Sequence, residues 1–284
     1  MRYALFLLLS CMSLGFGHST LANNSVAGSN SVANTHLHLT LPQAGSLEPD
    51  VTSRFYEQAL RLALAKTGTA SEQVQFEYHP NFLNRERARR MVKQGVLDIV
   101  WSSSNKKREA ELLPVKFNLI RGINEYRLLL IRAVDQPKFD QVKNLNDLQK
   151  FKIGSGTHWS DTGVYRFNGL PLVTSFAYES MFRMLGAKRF DYMARSIQEI
   201  HSEVEHYGAL GLAIEKKLVI HYPQPIYFFV NKNNGALAAR IQRGLEIART
   251  DGSLDELFFA TPNFRKAWED LQQLDRKVIE LNVP

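Results

Sequence analysis

Small polar residues follow one of the predicted strands at a position where they can bind a ligand. Ser102 and Ser103 come directly after the apolar strand Leu97–Trp101. Ligands of open α/β sheets bind outside the carboxyl ends of parallel strands. The two serines are therefore candidates for holding a polar ligand, with ordinary turn chemistry as the alternative. Trp101 ends the same strand and is a candidate for stacking on a ligand or for packing in the core.

A glycine-rich turn is the second candidate site. Gly154-Ser155-Gly156-Thr157 closes the strand Phe151–Gly154 and precedes a helix that we expect to begin near Ser160. Backbone N–H groups at a turn before a helix attract anions. Thr157 and His158 supply the side chains of this turn. A glycine-rich turn without a ligand is the alternative, because such turns are common.

The patterns of several enzyme and metal-site classes are missing from the sequence. It contains no GxSxG serine motif, no HExxH and no P-loop. His36 and His38 share one strand face without a third ligand, which favours surface positions. His158 and Glu48 are candidates for acid–base chemistry on a dehydratase- or lyase-like fold, but neither has a convincing partner. We therefore predict a protein that is not an enzyme and has no cofactor and no metal.

The first segment of the chain has the pattern of an export signal. Arg2 precedes the apolar run Ala4–Leu9, and Thr20-Leu21-Ala22 resembles a cleavage site. The run is shorter than the ~20 residues that span a bilayer. We predict a signal peptide over residues 1–22 and location in the periplasm. Cys11, the only cysteine, lies within this signal, so the exported chain has no disulfide; lipidation of Cys11 is the alternative.

Composition narrows the choice of partner. Residues 23–34 are rich in Asn, Ser, Ala and Gly and are predicted to be a disordered leader. The formal net charge is +7, which suits an anionic ligand or surface. Export argues against nucleic acid, and we expect a monomer.

Strands and helices alternate along the remaining chain, which predicts an α/β protein with parallel sheets. The predicted strands are Leu37–Leu41, Val74–Tyr78, Leu97–Trp101, Arg127–Ala133, Phe151–Gly154, Leu172–Phe176, Phe190–Met193 and Ile226–Asn231. One predicted helix follows Asp50, and another begins near Ser160. The other predicted helices are Arg85–Gln94, Asn144–Gln149, Tyr178–Leu185, Ile197–Tyr207, Ala236–Thr250, Ser253–Phe259 and Asn263–Glu280.

Two alternating units joined by two similar strands predict two lobes. Residues 35–130 form the first part of lobe 1, residues 131–225 form lobe 2, and residues 226–284 return to complete lobe 1. The strands Arg127–Ala133 and Ile226–Asn231 are the expected hinge.

The order of these elements resembles the type II periplasmic solute-binding proteins, and more closely their amino-acid-binding family 3. The segments that carry the resemblance are Gln94–Val100, Ser102–Arg108 followed by Val115–Phe117, Leu145–Leu148 with Ile153–Thr157, Arg189–Tyr192, and Ile241–Leu257. The resemblance covers nearly all of the chain after the leader. It implies a fold of two lobes, each with a mostly parallel sheet flanked by helices, and capture of a small solute between them.

The resemblance also implies roles for individual residues. Arg108 matches the arginine with which the family grips a ligand carboxylate, a task that suits the planar guanidinium. Thr157 and His158 match the facing ligand loop. Ser196 aligns with the acidic residue that pairs with the ammonium of an amino acid, and Arg195 stands beside it. This departure favours an organic acid or a ligand with two anionic ends; for Arg195, an ion pair with Glu199 is the alternative.

Three interpretations of function remain open at this point. The first is a solute-binding protein that delivers a small carboxylate or other organic acid to a permease of the inner membrane. The second is an accessory or sensor protein that uses the same clamshell and presents to a membrane receptor. The third is a degenerate member without a ligand, since both the ammonium clamp and an aromatic residue in the first loop, Pro42–Pro49, are missing.

Overall fold

The computed structural model describes residues His36–Gln43 and Asp50–Pro284. The predicted signal peptide with Cys11, the predicted leader and residues 44–49 of the first loop, which include Glu48, lie outside the described residues.

Strands and helices alternate through the described chain. The strands are β1 (His36–Leu41), β2 (Gln73–Tyr78), β3 (Ile99–Ser103), β4 (Leu113–Val115), β5 (Tyr126–Arg132), β6 (Ile153–Gly156), β7 (Leu172–Ser175), β8 (Tyr192–Ser196), β9 (Leu212–His221), β10 (Ile226–Val230) and β11 (Lys277–Glu280). The helices are α1 (Asp50–Thr67), α2 (Arg85–Lys93), α3 (Lys106–Glu111), α4 (Gln136–Phe139), α5 (Leu145–Leu148), α6 (Ser160–Phe167), α7 (Tyr178–Gly186), α8 (Ile200–Tyr207), α9 (Gly235–Thr250), α10 (Ser253–Ala260) and α11 (Pro262–Gln272).

Lobe 1 contains a two-stranded and a three-stranded sheet, and the three-stranded sheet combines strands from distant parts of the chain. β1 and β2 pair in parallel, and β10 lies antiparallel between β3 and β4. The Asp98 amide donates to the Thr40 carbonyl at 2.9 Å and joins β1 to the segment that leads into β3. All five residues of β3 are buried, as expected for a strand covered on both faces.

Lobe 2 is organised around a six-stranded sheet in the order β11-β9-β5-β8-β6-β7. β6 pairs in parallel with β7 and β8, whereas β5 lies antiparallel between β8 and β9. The apolar run Leu128–Ile131 of β5 is fully buried because helices cover both faces of this sheet. The sheets of both lobes, flanked by helices, confirm the predicted α/β class.

The two predicted hinge strands exist, but they belong to different sheets. β5 lies wholly in the sheet of lobe 2, so the predicted boundary at residue 130 falls inside this strand. β10 lies in the sheet of lobe 1. Two backbone hydrogen bonds link the segments that pass between the lobes. Leu119 N–H donates to Ile226 O at 3.0 Å, and Tyr222 N–H donates to Glu125 O at 3.2 Å.

The C-terminal tail differs from its prediction. A single helix over Asn263–Glu280 is wrong, because α11 ends at Gln272 and β11 then pairs in parallel with β9 of lobe 2. β-Branched Val278 and Ile279 suit a strand, and Ile279 is buried. The chain therefore passes between the lobes a third time, over residues 273–276.

β9 is a strand that the sequence pattern did not predict. Its apolar residues are interrupted by the charged stretch Glu215–Lys217, which hides the strand signal. Glu215 is nevertheless buried, because its carboxylate accepts the Lys217 and Leu218 amides at 2.9 and 2.6 Å. The β5–β9 register shifts between Leu128 and Leu130, beside this stretch.

Candidate functional site

The end of β3 and the start of α3 hold Arg108 in a fixed position. The Asn105 side chain caps α3 by accepting the Arg108 amide at 2.9 Å, which sets the first turn of the helix. The guanidinium folds back so that Nη1 donates to the carbonyl and the hydroxyl of Ser103, at 2.5 and 2.7 Å. Arg108 is half-buried, and Ser103 is buried.

The same guanidinium reaches across to lobe 2. Arg108 Nη2 donates to Oγ of Ser160, the first residue of α6, at 2.8 Å. Ser103 Oγ also donates to Ser160 Oγ, at 3.0 Å. The strand end of lobe 1 and the helix start of lobe 2 therefore meet at these three side chains. Ser160 was not a predicted site residue. Its position at the start of the helix that follows the glycine-rich turn is the sequence feature that could have identified it.

A second arginine approaches the same strand end from α2. Arg89 Nη1 lies 3.4 Å from the hydroxyl of Ser102, which is buried. Arg85 precedes Arg89 by four residues, the spacing that places two side chains on one helix face. The sequence pattern predicted α2 only as a polar helix, and this spacing was the signal for a basic face.

Arg89 and Arg108 form no ion pair with the described part of the chain, although Glu86, Glu111 and Asp161 act on them at longer range. None of the carboxylates there lies within ion-pair distance of Arg89 or Arg108. Burial, followed by repulsion from Arg89 and Arg85, lowers the pKa of Arg108 to about 9, with partial relief from Asp161. Burial and Arg85 also lower the pKa of Arg89, with partial relief from Glu86 and Glu111. Arg108 still carries its proton at neutral pH, so an anion placed here would relieve an existing electrostatic cost.

Asp161 follows Ser160 but is already engaged. It accepts hydrogen bonds from the Tyr222 hydroxyl at 2.6 Å and from Arg127 Nη2 at 3.2 Å. Burial alone would raise the pKa of Asp161, but Arg127 and the Tyr222 hydrogen bond more than offset it, so the pKa lies below its ordinary value. The carboxylate is therefore charged and belongs to a buried network at the lobe crossing.

Arg195 lies in an internal ion-pair cluster. Its Nε donates to both carboxylate oxygens of Glu203, at 2.9 and 2.8 Å, and its Nη2 donates to Glu199 at 2.8 Å. The guanidinium carbon also lies 4.4 Å from the ring centroid of Trp159. Burial would lower the pKa of Arg195, but Glu203 and Glu199 raise it well above the ordinary value. This geometry favours the alternative interpretation, in which Arg195 forms an ion pair. Through its contact with the Trp159 ring, Arg195 also positions the loop that contains Trp159.

The facing loop places its two predicted side chains differently. The Thr157 amide donates to the Ser175 carbonyl at 2.9 Å, and the Thr157 hydroxyl is buried without a partner among the described residues. The His158 side chain is exposed, with its ring centroid 5.4 Å from that of Phe176. The His158 ring is therefore in contact with solvent, next to an exposed aromatic residue.

The last two predicted site residues are buried. Trp101 stacks on Tyr56 with ring centroids 5.4 Å apart, within the core of lobe 1. Ser196 ends β8 and is also buried. Neither the Trp101 indole nitrogen nor the Ser196 hydroxyl has a hydrogen-bond partner in the part of the chain that the structure describes. Buried polar atoms are normally satisfied, so both remain candidates for contact with a ligand or water.

The arrangement as a whole matches solved structures of two-lobed binding proteins. An ancestral arginine-binding protein bound to arginine superimposes with a TM-score of 0.56 at 17% identity, covering 79% of this chain and 98% of that chain. The protein has the type II periplasmic binding protein fold. This confirms, at the level of fold, the resemblance in the sequence.

Two further solved structures have the same fold. A histidine kinase sensor domain with similarity to periplasmic binding proteins has a TM-score of 0.55 at 16% identity, covering 81% of this chain and 96% of its own. The GluR0 ligand-binding core in complex with L-glutamate has a TM-score of 0.55 at 12% identity, covering 80% and 97%. No protein-family model matches the chain, and no curated protein does either.

The described residues contain neither a candidate membrane span nor a candidate metal cluster. None of the described helices is long and apolar enough to cross a membrane. No group of three or more His, Cys, Asp or Glu side chains in the described ranges has the arrangement of a metal site. The residues that the fold does bring together are Arg89, Ser102, Ser103, Arg108 and Ser160, which are groups for binding an anion.

Proposed function

We propose that this protein is a periplasmic binding protein that closes its two lobes around a small carboxylate or other organic acid. In this proposal it is not an enzyme, acts as a monomer without a cofactor, and delivers its solute to an inner-membrane permease. Arg108 is the principal ligand contact. Ser103 on lobe 1 and Ser160 on lobe 2 supply the hydroxyl groups that complete the site.

One observation carries the proposal: half-buried Arg108 lies at the contact between the lobes without a carboxylate partner among the described residues. A guanidinium pairs both oxygens of a carboxylate at once, and such charge-assisted hydrogen bonds are about twice as strong as neutral ones. The guanidinium already spans both lobes through Ser103 and Ser160. A ligand that contacts both lobes favours the closed state only by its extra affinity for that state.

A sensor role is the second candidate. The similarity to a histidine kinase sensor domain supports it. The same clamshell and the same anion site would then present a bound solute to a membrane receptor. Both candidates need Arg108 and differ only in the protein partner.

A thermal-shift screen of the exported protein, which we expect to begin at Asn23, tests the proposal. The set includes mono- and dicarboxylates, other organic acids, amino acids, and neutral sugars as controls. A ligand at 100 times its Kd stabilises a protein by about 2.7 kcal/mol. We expect a rise in melting temperature with at least one acid and none with the sugars. No shift with any acid at millimolar concentration would contradict solute capture and favour a chain without a ligand.

A further inference from the structure

The site contains two arginine side chains at one strand end. Arg108 contacts Ser103, and Arg89 contacts Ser102, so the two guanidinium groups lie at consecutive residues of the chain. Since Ser102 and Ser103 end β3, both charges lie at the carboxyl edge of the lobe 1 sheet, where ligands of such sheets bind. Successive side chains of a strand point to opposite faces, but both arginine side chains are long, and Arg89 is close enough to Arg108 to lower its pKa. A ligand that pairs with Arg108 is therefore within the field of a second positive charge.

We propose that this site binds a small solute that carries two negative charges and no ammonium group, and that Arg89 and Arg108 neutralise it together. The inference rests on the proposed function and specifies its ligand class. Ser102, Ser103 and Ser160 supply hydroxyl groups for the remaining oxygens of such a solute.

The acidic residues around the site support the absence of an ammonium group. Asp161 is held by Arg127 and Tyr222. Glu109, on α3, accepts the Ser104 hydroxyl at 2.6 Å and lies 3.6 Å from the Lys116 ammonium. A ligand ammonium would therefore compete with partners that these carboxylates already have.

The cluster around Arg195 supports the same conclusion. Glu199 and Glu203 both pair with Arg195, beside the position where the ammonium-binding residue of the resembled family aligns, Ser196. The positive charge of Arg195 is thus already balanced by these two carboxylates. An ammonium placed near Arg89 and Arg108 would add repulsion that these paired carboxylates do not relieve.

The electrostatics support a dianion over a monoanion. Arg89 is among the groups that lower the pKa of Arg108, so the two guanidinium groups repel each other across the site. Arg85, on the same face of α2, adds to this repulsion at Arg89. A single carboxylate balances only one of the two positive charges, which Glu86, Glu111 and Asp161 offset only in part, whereas a dianion balances both. This balance is the physical reason to expect selectivity for the second charge.

Calorimetric titration of the exported protein tests the inference with four probes. Succinate carries two carboxylates, butyrate one, aspartate two carboxylates and an ammonium, and inorganic phosphate two charges on a single group. We expect succinate or phosphate to bind at least about tenfold more tightly than butyrate and aspartate, a difference of about 1.4 kcal/mol. Preference for phosphate would place both charges on one group, and preference for succinate would place them on two; either result supports the inference.

Two matched variants assign the second charge to Arg89. Arg89→Gln should lower the affinity for the preferred dianion at least about tenfold and change butyrate binding much less. Arg90→Gln removes the same charge from the next residue of α2, an exposed side chain that pairs with Glu86, and should leave both affinities unchanged. This comparison separates contact with the ligand from a general change in net charge.

Three results would overturn the inference: butyrate binding as tightly as both dianions, aspartate binding more tightly than succinate, or no binding of any probe. If a monocarboxylate or amino acid binds and this binding requires Arg108, the proposed function stands and only the two-charge ligand class fails. The wider acid screen decides the proposed function independently of these four probes.

Discussion

Replacing Arg108 with glutamine is expected to lower the affinity for the bound acid by roughly 100-fold without lowering the melting temperature of the ligand-free protein. The loss of affinity follows from removing the charge that pairs with the ligand carboxylate. The unchanged or raised stability follows from the pKa. Because the folded-state pKa of about 9 lies well below the ordinary value of an arginine, the charged form opposes folding at every pH below about 9.

Titration calorimetry and a thermal melt of the ligand-free protein measure these two effects. The hydrogen bond from Ser103 to Ser160 does not involve Arg108, so the interlobe contact is only partly lost. Lys107→Gln is the matched control, because it removes the same charge from an exposed position of the same helix and should change neither quantity. Equal affinity of Arg108→Gln and the wild type would contradict the assignment of Arg108 as the anchor.

Replacing Glu203 with glutamine is expected to cost about 3–5 kcal/mol of stability, because it leaves the buried Arg195 charge without its main partner. Glu203 and Arg195 are both buried, and the carboxylate accepts from Arg195 and from the Tyr178 hydroxyl, the latter at 2.7 Å. Urea denaturation followed by circular dichroism gives the free energy of unfolding for each variant.

Glu199→Gln is the control for this effect. Glu199 pairs with the same guanidinium, but a third of its side chain is exposed, so its loss should cost about 1 kcal/mol or less. Similar losses from the two variants would show that burial of Glu203 does not set the strength of this ion pair. A stability loss from Glu203→Gln below 1 kcal/mol would contradict the account of Arg195 as an internally paired charge.

The parts of the fold that follow local patterns were predictable from the sequence. Alternating apolar runs predicted eight of the eleven described strands, and the end of a buried strand marked Ser102 and Ser103 as candidate ligand contacts. Arg108 was found through its spacing from those serines in a motif of the resembled family. Each of these signals lies within about ten residues of sequence, where geometry follows from the chain itself.

The remaining site depends on contacts between distant segments. Arg89 joins the site only because α2 packs beside the end of β3, and Ser160 joins it only because the lobes meet. Arg195 had a predicted alternative partner at Glu199. Its main partner, Glu203, lies eight residues away and depends on the turn between β8 and α8. This packing determines whether Arg195 contacts a ligand or forms an ion pair. The local sequence around Arg195 contains no pattern that predicts the outcome.

The distance between the lobes, measured with and without the bound acid, tests the central claim most directly. Phe82 and Phe176 are exposed, follow β2 and β7 of the two lobes, and are suited to replacement by cysteine for spin labelling. The exported chain offers no competing thiol, since Cys11 lies in the predicted signal. We expect the acid from the screen to shorten and narrow the distance distribution, and Arg108→Gln to prevent this change. An identical distribution with and without saturating acid would contradict capture of the solute between the lobes.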